Sequence, residues 1–429
     1  MDTSPTLPQT ILDRFLKYVR IYTTSTRNSE QTPSTPGQWD LARLLEGELK
    51  ELGIQDVVLT DQCYLIARIP GTDPEAPWIG LMAHVDTTEE CPGENVKPLV
   101  HKNYDGGEIV LPAGLTISPE TSPMLRRYVG ETIVTSSGDT LLGADDKAGV
   151  AAVMSLAAHL TATSREPRCN VEIIFTPDEE TGKGMDRFPK ELLKSSVCYT
   201  VDGGDEGAVE AECFTAYGAQ VRFDGVVIHP GQARGRLVNA ITMAERFLAM
   251  IPGAERPEST DGRYGFFYPM AIHGDVGHAE VEMLLRDFET EGMERRLALI
   301  EEAARVVERA FPEGRVTVTT RKQYLNMREI IETRPESVGL LARAIRETGI
   351  EPEFHAIRGG TDGARLSEQG IPTPNLFSGA QNMHSPTEWV ALPAMVRATQ
   401  TLVNLCRLWA DPPAVAEARG HYSPGASST

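Results

Sequence analysis

The fold is decided by a short apolar run that ends in two polar residues, GLMAHVD at residues 80–86. Apolar residues without alternation are typical of a strand that is covered on both faces of a parallel sheet. Side chains alternate along a strand, so His84 and Asp86 point to the same side. In such sheets, ligands bind beyond the carboxyl ends of the strands. The run therefore predicts an α/β protein with a polar site at one sheet edge.

Other His, Asp and Glu residues also follow apolar runs. Asp145 and Asp146 stand at a loop-to-helix junction, where one can bridge two metal ions while the other caps the helix. Glu179 and Glu180 follow a predicted strand at 171–175, and crowded carboxylates repel unless cations neutralise them. Each cluster alone also fits a structural role, a helix cap or a solvated turn, but their recurrence favours a metal site. The remaining members are Asp202, His229 and His384.

The ligand types limit the possible metals, and the chain length and secondary-structure pattern limit the possible architecture. Two His with Asp and Glu oxygens match zinc, cobalt or manganese. With 429 residues, the chain exceeds the roughly 250 to 300 at which single cores stop growing, which predicts two domains. The predicted fold is a mostly parallel sheet with helices on both faces, interrupted by a smaller α+β domain. The expected domains are 1–213 and 326–409 for the sheet, 214–325 for the insertion, and 410–429 as a flexible tail.

Charge and cysteine usage indicate the partners and the compartment. The net charge is -20, from 61 acidic and 41 basic side chains, which disfavours nucleic acids and anionic membranes as partners. The six cysteines show no CxxC spacing, so free thiols in a reducing compartment are expected. No basic leader with an apolar core precedes the first helix, and no apolar run approaches about 18 residues. A cytoplasmic protein is predicted.

Nine motifs, in order along the chain, resemble a known enzyme family. The family is that of the dizinc metallopeptidases, which includes carboxypeptidase G and amino-acid deacylases, and the closest resemblance is to its tripeptide aminopeptidases, the peptidase T group. The resemblance extends from the first helix to about residue 409. The motifs are AHVDT at 83–87, LLGADDKAG at 141–149, FTPDEETG at 175–182, YTVDGG at 199–204, HPG at 229–231, RDF at 286–288, YLNMR at 324–328, IRGGTDG at 357–363 and PNLF at 374–377.

This resemblance implies a set of metal ligands. His84 and Asp202 would bind one zinc ion, and Glu180 and His384 would bind the second. Asp145 would bridge both ions, ahead of a cis peptide bond to the next residue. Cobalt or manganese are the alternative metals.

The resemblance also implies the catalytic groups. Asp86 would orient His84. Glu179 would take a proton from the metal-bridging water and then deliver it to the departing amine.

The inserted domain would be the lid of the family and the interface of a homodimer. In it, His229 resembles a histidine that stabilises the oxyanion of the tetrahedral intermediate. Arg286, Asn326 and Arg358 are candidates for binding the ends of the substrate, because guanidinium groups bind carboxylates with two hydrogen bonds. Each of these three also fits a structural ion pair or hydrogen bond.

The predicted activity is release of the first residue from short peptides, most closely tripeptides. Two alternatives stay open: a related dizinc amidohydrolase, carboxypeptidase or N-acyl amino acid deacylase, and a non-catalytic metal-binding or interaction protein. The loop at 378–389 departs from the glycine- and aromatic-rich form of tripeptidases, so it bears on the choice of substrate. Retention of Glu179 argues against the non-catalytic alternative, because a structural metal site needs no adjacent base.

Overall fold

The structure, a computed structural model, describes residues 6–163 and 165–421. They form two compact units. The first unit comprises the chain up to Ala211, Glu329–His355, and the chain from Thr361 onward, whereas the second comprises Glu212–Arg328 and Ala356–Gly360. The expected insertion at 214–325 lies within the second unit. The short return at 356–360 had no counterpart in the predicted domains.

The helices and strands are numbered in chain order. Helices α1 to α10 are Leu7–Tyr18, Gly37–Glu51, Ala144–Ala162, Ala240–Met250, Thr290–Ala310, Arg328–Ile331, Glu336–Arg346, Asp362–Glu368, Leu392–Trp409 and Pro412–His421. Strands β1 to β18 are Asp56–Leu59, Leu65–Ile69, Trp78–His84, Leu99–His101, Ile109–Val110, Thr116–Ile117, Ile133–Thr135, Asn170–Thr176, Val197–Gly203, Ala208–Cys213, Thr215–Asp224, Phe266–Gly274, His278–Asp287, Arg315–Tyr324, Glu353–Ile357, Asn375–Phe377, Ala380–Gln381 and Trp389–Ala391.

The main sheet has eight strands in the order β1-β2-β8-β3-β9-β16-β10-β15. Its centre is parallel, because β3 pairs with β8 and β9 in parallel and β9 does so with β16. On the flanks, β2 pairs antiparallel with β8, and β10 pairs antiparallel with β16. The predicted α/β class is confirmed, and the antiparallel flanks make the sheet mixed.

Helices cover both faces of this sheet. On one face, the Tyr199 hydroxyl donates to the carbonyl of Ser337 in α7 and accepts from the indole of Trp409 in α9. The preceding residue, Cys198, points to the opposite face and packs in a buried cluster with Leu366 of α8. Since neighbouring side chains of a strand alternate, α7 and α9 lie across the sheet from α8.

Helix α3 approaches the sheet closely at a glycine. A Cβ atom added to Gly149 would lie 2.0 Å from the carbonyl oxygen of Val201 in β9. The same atom would lie 2.3 Å from a carboxylate oxygen of Asp146. Only glycine therefore allows α3 to start at this distance from the strand that carries Asp202.

We expect Gly149→Ala to lower the free energy of unfolding by about 1–3 kcal/mol, because overpacking a tight interior forces the backbone to shift. The matched control is Gly47→Ala in α2, where an added Cβ has no atom within 4 Å. There, alanine should raise stability by up to about 1 kcal/mol through its helix propensity. Urea unfolding of both variants measures the difference, and equal stability changes would contradict the close approach.

A smaller sheet in the first unit carries the loop with His384. Its four strands run in the order β17-β18-β7-β4, and β17 and β18 form the antiparallel pair on either side of that loop. Trp389, at the start of β18, is fully buried, and its indole donates to the hydroxyl of Ser122 over 2.9 Å. Tyr128 packs edge-on against the same ring. The end of the loop is thereby fixed.

The second unit contains a four-stranded sheet in the order β12-β13-β11-β14, with every described pairing antiparallel. Side chains of α4 and α5 share a buried core with it, including Phe223, Phe247 and Ile300. Before α4, an isolated bridge pairs Val226 with Val238. Strand β12 lies at the edge of this sheet and contains Pro269, which an edge strand tolerates.

The expected flexible tail needs a correction. Residues 412–421 form α10, and Ala414 and Ala418 on it are buried. These two alanines are four positions apart and share one helix face, which packs against α7 at Gly339. Residues 422–429 of the expected tail lie outside the described residues.

None of the helices within residues 6–163 and 165–421 is long and apolar enough to cross a bilayer. The longest, α5, has 21 residues, but nine of them are charged. Its apolar side packs into the core of the second unit.

Candidate metal centre

Strand register brings the candidate ligands to one edge of the main sheet. His84 is the last residue of β3 and pairs with Thr176, the last residue of β8. Glu179 and Glu180 follow in a short 3-10 turn after β8. On the other side of β3, Met82 pairs with Thr200, so Asp202 lies two residues further along β9 at the same level as His84.

Two ligand groups share a single aspartate. The Nε2 atom of His84 lies 2.9 Å from Oδ1 of Asp145 and 3.5 Å from Oδ1 of Asp202. The Nε2 atom of His384 lies 3.3 Å from Oδ2 of Asp145 and 2.9 Å from Oε2 of Glu180. The two carboxylate oxygens of Asp145 therefore face different histidines. This is the arrangement that a carboxylate bridging two metal ions requires.

The donor atoms of these residues suit divalent cations. Within each group, one ligand atom per residue lies within 4.8 Å of the others. The second carboxylate oxygen of Glu180, Oε1, is buried and has no hydrogen-bond partner in the structure, as expected for an atom that serves a metal. All donors are imidazole nitrogens or carboxylate oxygens, which match zinc, cobalt or manganese.

The pKa shifts of the clustered side chains also favour a site for divalent cations. Burial raises the pKa of Glu180 to about 8 and that of Asp202 to about 6, in each case with a neighbouring carboxylate adding to the effect. Hydrogen bonds with Asp145 and Glu180 raise the pKa of His384 to about 11. Protons and divalent cations thus compete for the same negative charges.

Asp86 contacts three residues of the centre, His84, Glu179 and Glu180. It is fully buried, and its two carboxylate oxygens accept the backbone N–H groups of Glu179 and Glu180 over 3.0 and 3.2 Å. Its Oδ1 atom also lies 3.3 Å from Nδ1 of His84. Asp86 is therefore placed to orient the ring of His84 and to fix the turn after β8.

Glu179 lies beside the ligands and belongs to neither ligand group. It lines a small cavity together with His84, Asp202 and Asp362. Burial raises the pKa of Glu179 well above its usual range. A carboxyl group in this position is suited to hold and release a proton next to the metal groups.

The Asp145–Asp146 peptide bond is cis, as the family resemblance implied. Asp146 is fully buried. It accepts the backbone N–H of His84 over 3.3 Å and that of Gly149 over 3.1 Å. Asp146 therefore links the start of α3 to the end of β3, while its neighbour Asp145 faces the histidines.

The sequence interpretation did not include Glu388 among the site residues. Glu388 is buried, and its Oε2 atom accepts the backbone N–H groups of Leu142 and Gly143 over 2.7 Å each. Its Oε1 atom accepts the backbone N–H of Asp145 over 2.9 Å. Glu388 thus fixes the backbone of Asp145 from the loop of His384. A carboxylate directly before an apolar strand was the one sequence feature that pointed to it.

Asp362 and Thr200 also escaped the sequence interpretation. Both line the cavity beside Glu179, and both are buried. The hydroxyl of Thr176 donates to Asp362 over 2.5 Å, whereas the hydroxyl of Thr200 has no hydrogen-bond partner in the structure. Asp362 lies in the motif IRGGTDG, of which only Arg358 was predicted to belong to the site.

Three of the predicted substrate-binding residues have hydrogen bonds within the second unit. Arg286 is buried and donates to the carbonyl oxygen of Leu285 over 3.0 Å. Asn326 accepts the backbone N–H of Cys213 over 3.2 Å and donates to the carbonyl oxygen of Phe288 over 3.0 Å. These contacts give both residues a structural role, which was the alternative to substrate binding in the sequence analysis.

Arg358 makes a similar set of contacts. Its guanidinium donates to the carbonyl oxygens of Gly262, Tyr264 and Thr260 over 2.7, 3.0 and 3.2 Å. It also stacks over the ring of Phe214, at 5.1 Å from the ring centre. The side chain therefore supports the loop between α4 and β12.

His229 is separated from these three residues along the second sheet. Arg286 pairs with Ala216 near the start of β11, whereas His229 follows the opposite end of that strand. It is exposed, and its Nδ1 atom accepts the backbone N–H of Gly231 over 3.1 Å.

Comparison of the sequence with known proteins identifies the family. A profile of peptidase family M20/M25/M40 matches residues 141–408, and a profile of peptidase family M28 matches residues 65–188. A protein named peptidase T from Listeria monocytogenes is 43% identical over 406 residues, which cover 94% of this chain and 99% of the relative. Peptidase T from Clostridium perfringens is 42% identical over 400 residues, covering 93% and 98%.

Solved structures share the fold. The crystal structure of aminopeptidase PepT from Bacillus cereus has a TM-score of 0.73 at 21% identity and covers 95% of this chain and 99% of its own. A tripeptidase from Staphylococcus aureus has a TM-score of 0.76 at 20% identity, with coverage of 94% and 98%. With the profile match and the identity to the peptidase T relatives, the chain belongs to peptidase family M20/M25/M40.

Proposed function

We propose that this protein is a metal-dependent aminopeptidase that releases the first residue of short peptides, with tripeptides as the main substrates. The observation that carries the proposal is Asp145, whose two oxygens face His84 and His384 respectively. In this proposal, Asp202 completes one metal group and Glu180 completes the other. Relatives at 42–43% identity that are named peptidase T support the substrate class.

Two divalent ions, with zinc as the proposed metal, would supply Lewis-acid polarisation of the scissile carbonyl. Glu179 accepts the proton of the attacking water and returns it to the departing amine. Asp86 keeps Glu179 in place through its backbone N–H and keeps the ring of His84 oriented. No Ser or Cys nucleophile is needed for this reaction.

The second unit is proposed to act as the lid of the active site. Arg286, Asn326 and Arg358 are proposed to contact the ends of the peptide, and His229 the oxyanion. The hydrogen bonds that the first three make to backbone carbonyls and N–H groups keep them fixed, which favours preorganised binding.

A panel of substrates tests this function. With zinc, cobalt or manganese added in turn, we expect cleavage of free tripeptides, slower cleavage of dipeptides, and none of N-blocked tripeptides or N-acyl amino acids. An aminopeptidase requires the free amine, whereas a deacylase accepts the blocked one. Preferential cleavage of the blocked substrates, measured by release of free amino acids, would assign the protein to the deacylase or carboxypeptidase class instead.

We also propose a homodimer formed through the second unit. Strand β12 lies at the edge of its sheet, and Tyr268, Met270 and Ile272 on it are 43, 48 and 52% exposed. An edge strand with exposed apolar side chains is a template for pairing with another chain. Light scattering after size exclusion should give twice the chain mass of 46.9 kDa, and Ile272→Lys should shift it towards the monomer.

A cytoplasmic location is proposed from the thiols. All six cysteines are free and buried in the structure. Free thiols persist in reducing compartments.

A further inference from the structure

The two histidines of the metal centre share one pattern of contacts. The Nε2 atom of each ring faces the ligand carboxylates, and the Nδ1 atom faces a carboxylate outside the ligand groups. For His84, this outer carboxylate is Asp86, at 3.3 Å from Nδ1. For His384, it is Glu90, whose Oε2 atom lies 3.2 Å from Nδ1. Nothing in the sequence motifs had indicated a role for Glu90.

An outer carboxylate has a defined effect on a histidine that binds metal. It accepts the Nδ1–H group, so the ring keeps Nε2 unprotonated, holds one orientation and becomes more basic. His84 is buried and has the surrounding sheet to restrain it. His384 lies in a loop, and its side chain is 36% exposed, so packing restrains its ring much less. The contact with Glu90 therefore matters more for His384.

The backbone around Glu90 is anchored. Its N–H group donates to the hydroxyl of Thr88 over 3.2 Å, and Thr88 is buried. The other carboxylate oxygen, Oε1, lies 3.5 Å from the guanidinium of Arg27. That ion pair is largely exposed on both sides and contributes little free energy. Glu90 thus has one oxygen directed to His384 and one to a weak surface partner.

We propose that Glu90 is the positioning residue of His384, so that residues 86–90 after β3 supply one orienting carboxylate to each metal-binding histidine. The inference rests on the proposed metal role of His384. Its consequence is that Glu90 raises the affinity for one of the two ions, the one that His384 binds, and leaves the other ion unaffected.

The test is a titration of the metal-free full-length protein with Co²⁺, followed by its visible absorption and by calorimetry. His384→Ala identifies the binding event that depends on this histidine. Glu90→Gln should weaken that same event about tenfold, the lower end of the effect of outer-shell substitutions, and change the other event by less than twofold. Glu90→Asp keeps the charge on a shorter side chain and should lose less affinity than Glu90→Gln.

Two controls separate this role from a general surface effect. Glu89→Gln removes the same charge at the neighbouring exposed position, where the side chain contacts Arg27 and not His384. Arg27→Gln removes the ion pair of Glu90. Both should bind Co²⁺ as the wild type does. Wild-type affinities in Glu90→Gln, or equal losses in Glu89→Gln or Arg27→Gln, would overturn the inference. Failure of the wild type to cleave tripeptides would refute the proposed substrate alone, since Co²⁺ affinity decides the role of Glu90.

Discussion

Replacing Glu179 with alanine is expected to lower kcat about 100- to 10,000-fold, the range that a general base contributes, while both metal ions stay bound. The reason is geometric. Glu179 lies beside His84 and Asp202 in the small cavity, yet its carboxylate belongs to neither ligand group. The expected loss therefore falls on turnover and leaves metal content unchanged. Steady-state kinetics and elemental analysis of the purified variant measure the two quantities separately.

The neighbouring residue supplies the matched control for this prediction. Glu180→Ala removes a carboxylate that lies 2.9 Å from Nε2 of His384, so it should lower metal content together with activity. The two adjacent glutamates are thus expected to give different signatures. Wild-type turnover in Glu179→Ala would exclude the proposed base, and loss of metal from that variant would make Glu179 a ligand instead.

Removing the divalent ions with a chelator is expected to abolish activity, and adding zinc, cobalt or manganese is expected to restore it. Among the described contacts, the carboxylates that face the histidines have no other cation within hydrogen-bonding distance. The proposed polarisation of the substrate therefore depends on the divalent ions. Activity is measured on a free tripeptide before chelation, after verified metal removal, and after each addition.

Asp145→Asn is the control variant for metal removal. An amide has one oxygen and no charge, so it cannot present an oxygen to each of the two histidines as Asp145 does. This variant should stay inactive after the same metal additions that restore the wild type. Full wild-type activity after verified metal removal would refute the metal-dependent mechanism.

The sequence indicated which candidate ligands lie together because their position follows from local rules. His84 ends β3, Asp202 lies near the end of β9 and Glu180 follows β8, and parallel strands bring their carboxyl ends to one edge of the sheet. The roles assigned to these residues came from the family resemblance, and they remain proposals that the experiments above test. The fold class depended on the same apolar runs and is confirmed.

Glu388 shows what the sequence could not reveal. The backbone N–H groups that it accepts belong to residues 243 to 246 positions earlier in the chain. No local pattern predicts a contact of that separation. The same holds for Asp362, whose hydrogen-bond partner Thr176 lies 186 positions earlier. The contacts of these two buried carboxylates are therefore visible only in three dimensions.

Arg358 illustrates a different limit. A sequence shows that a guanidinium group is present, but both backbone carbonyl oxygens and substrate carboxylates can accept its hydrogen bonds. In the structure, Arg358 donates to three backbone carbonyls of one loop. The sequence had left the structural and the substrate-binding role open, and the contacts add a definite structural role.

The hydrogen bond from Cys213 to Asn326 joins the two ends of the inserted segment. These two residues lie near the points where the chain enters that unit, at Glu212, and leaves it, at Arg328. The N–H of Phe214 also donates to the carbonyl of Ile357, which lies in the later return of the chain. Hydrogen bonds thus hold the points where the chain enters, leaves and returns to the second unit side by side. The insertion of more than a hundred residues is therefore equivalent, for the chain of the first unit, to a short connection. Such an insertion adds little loop-closure entropy.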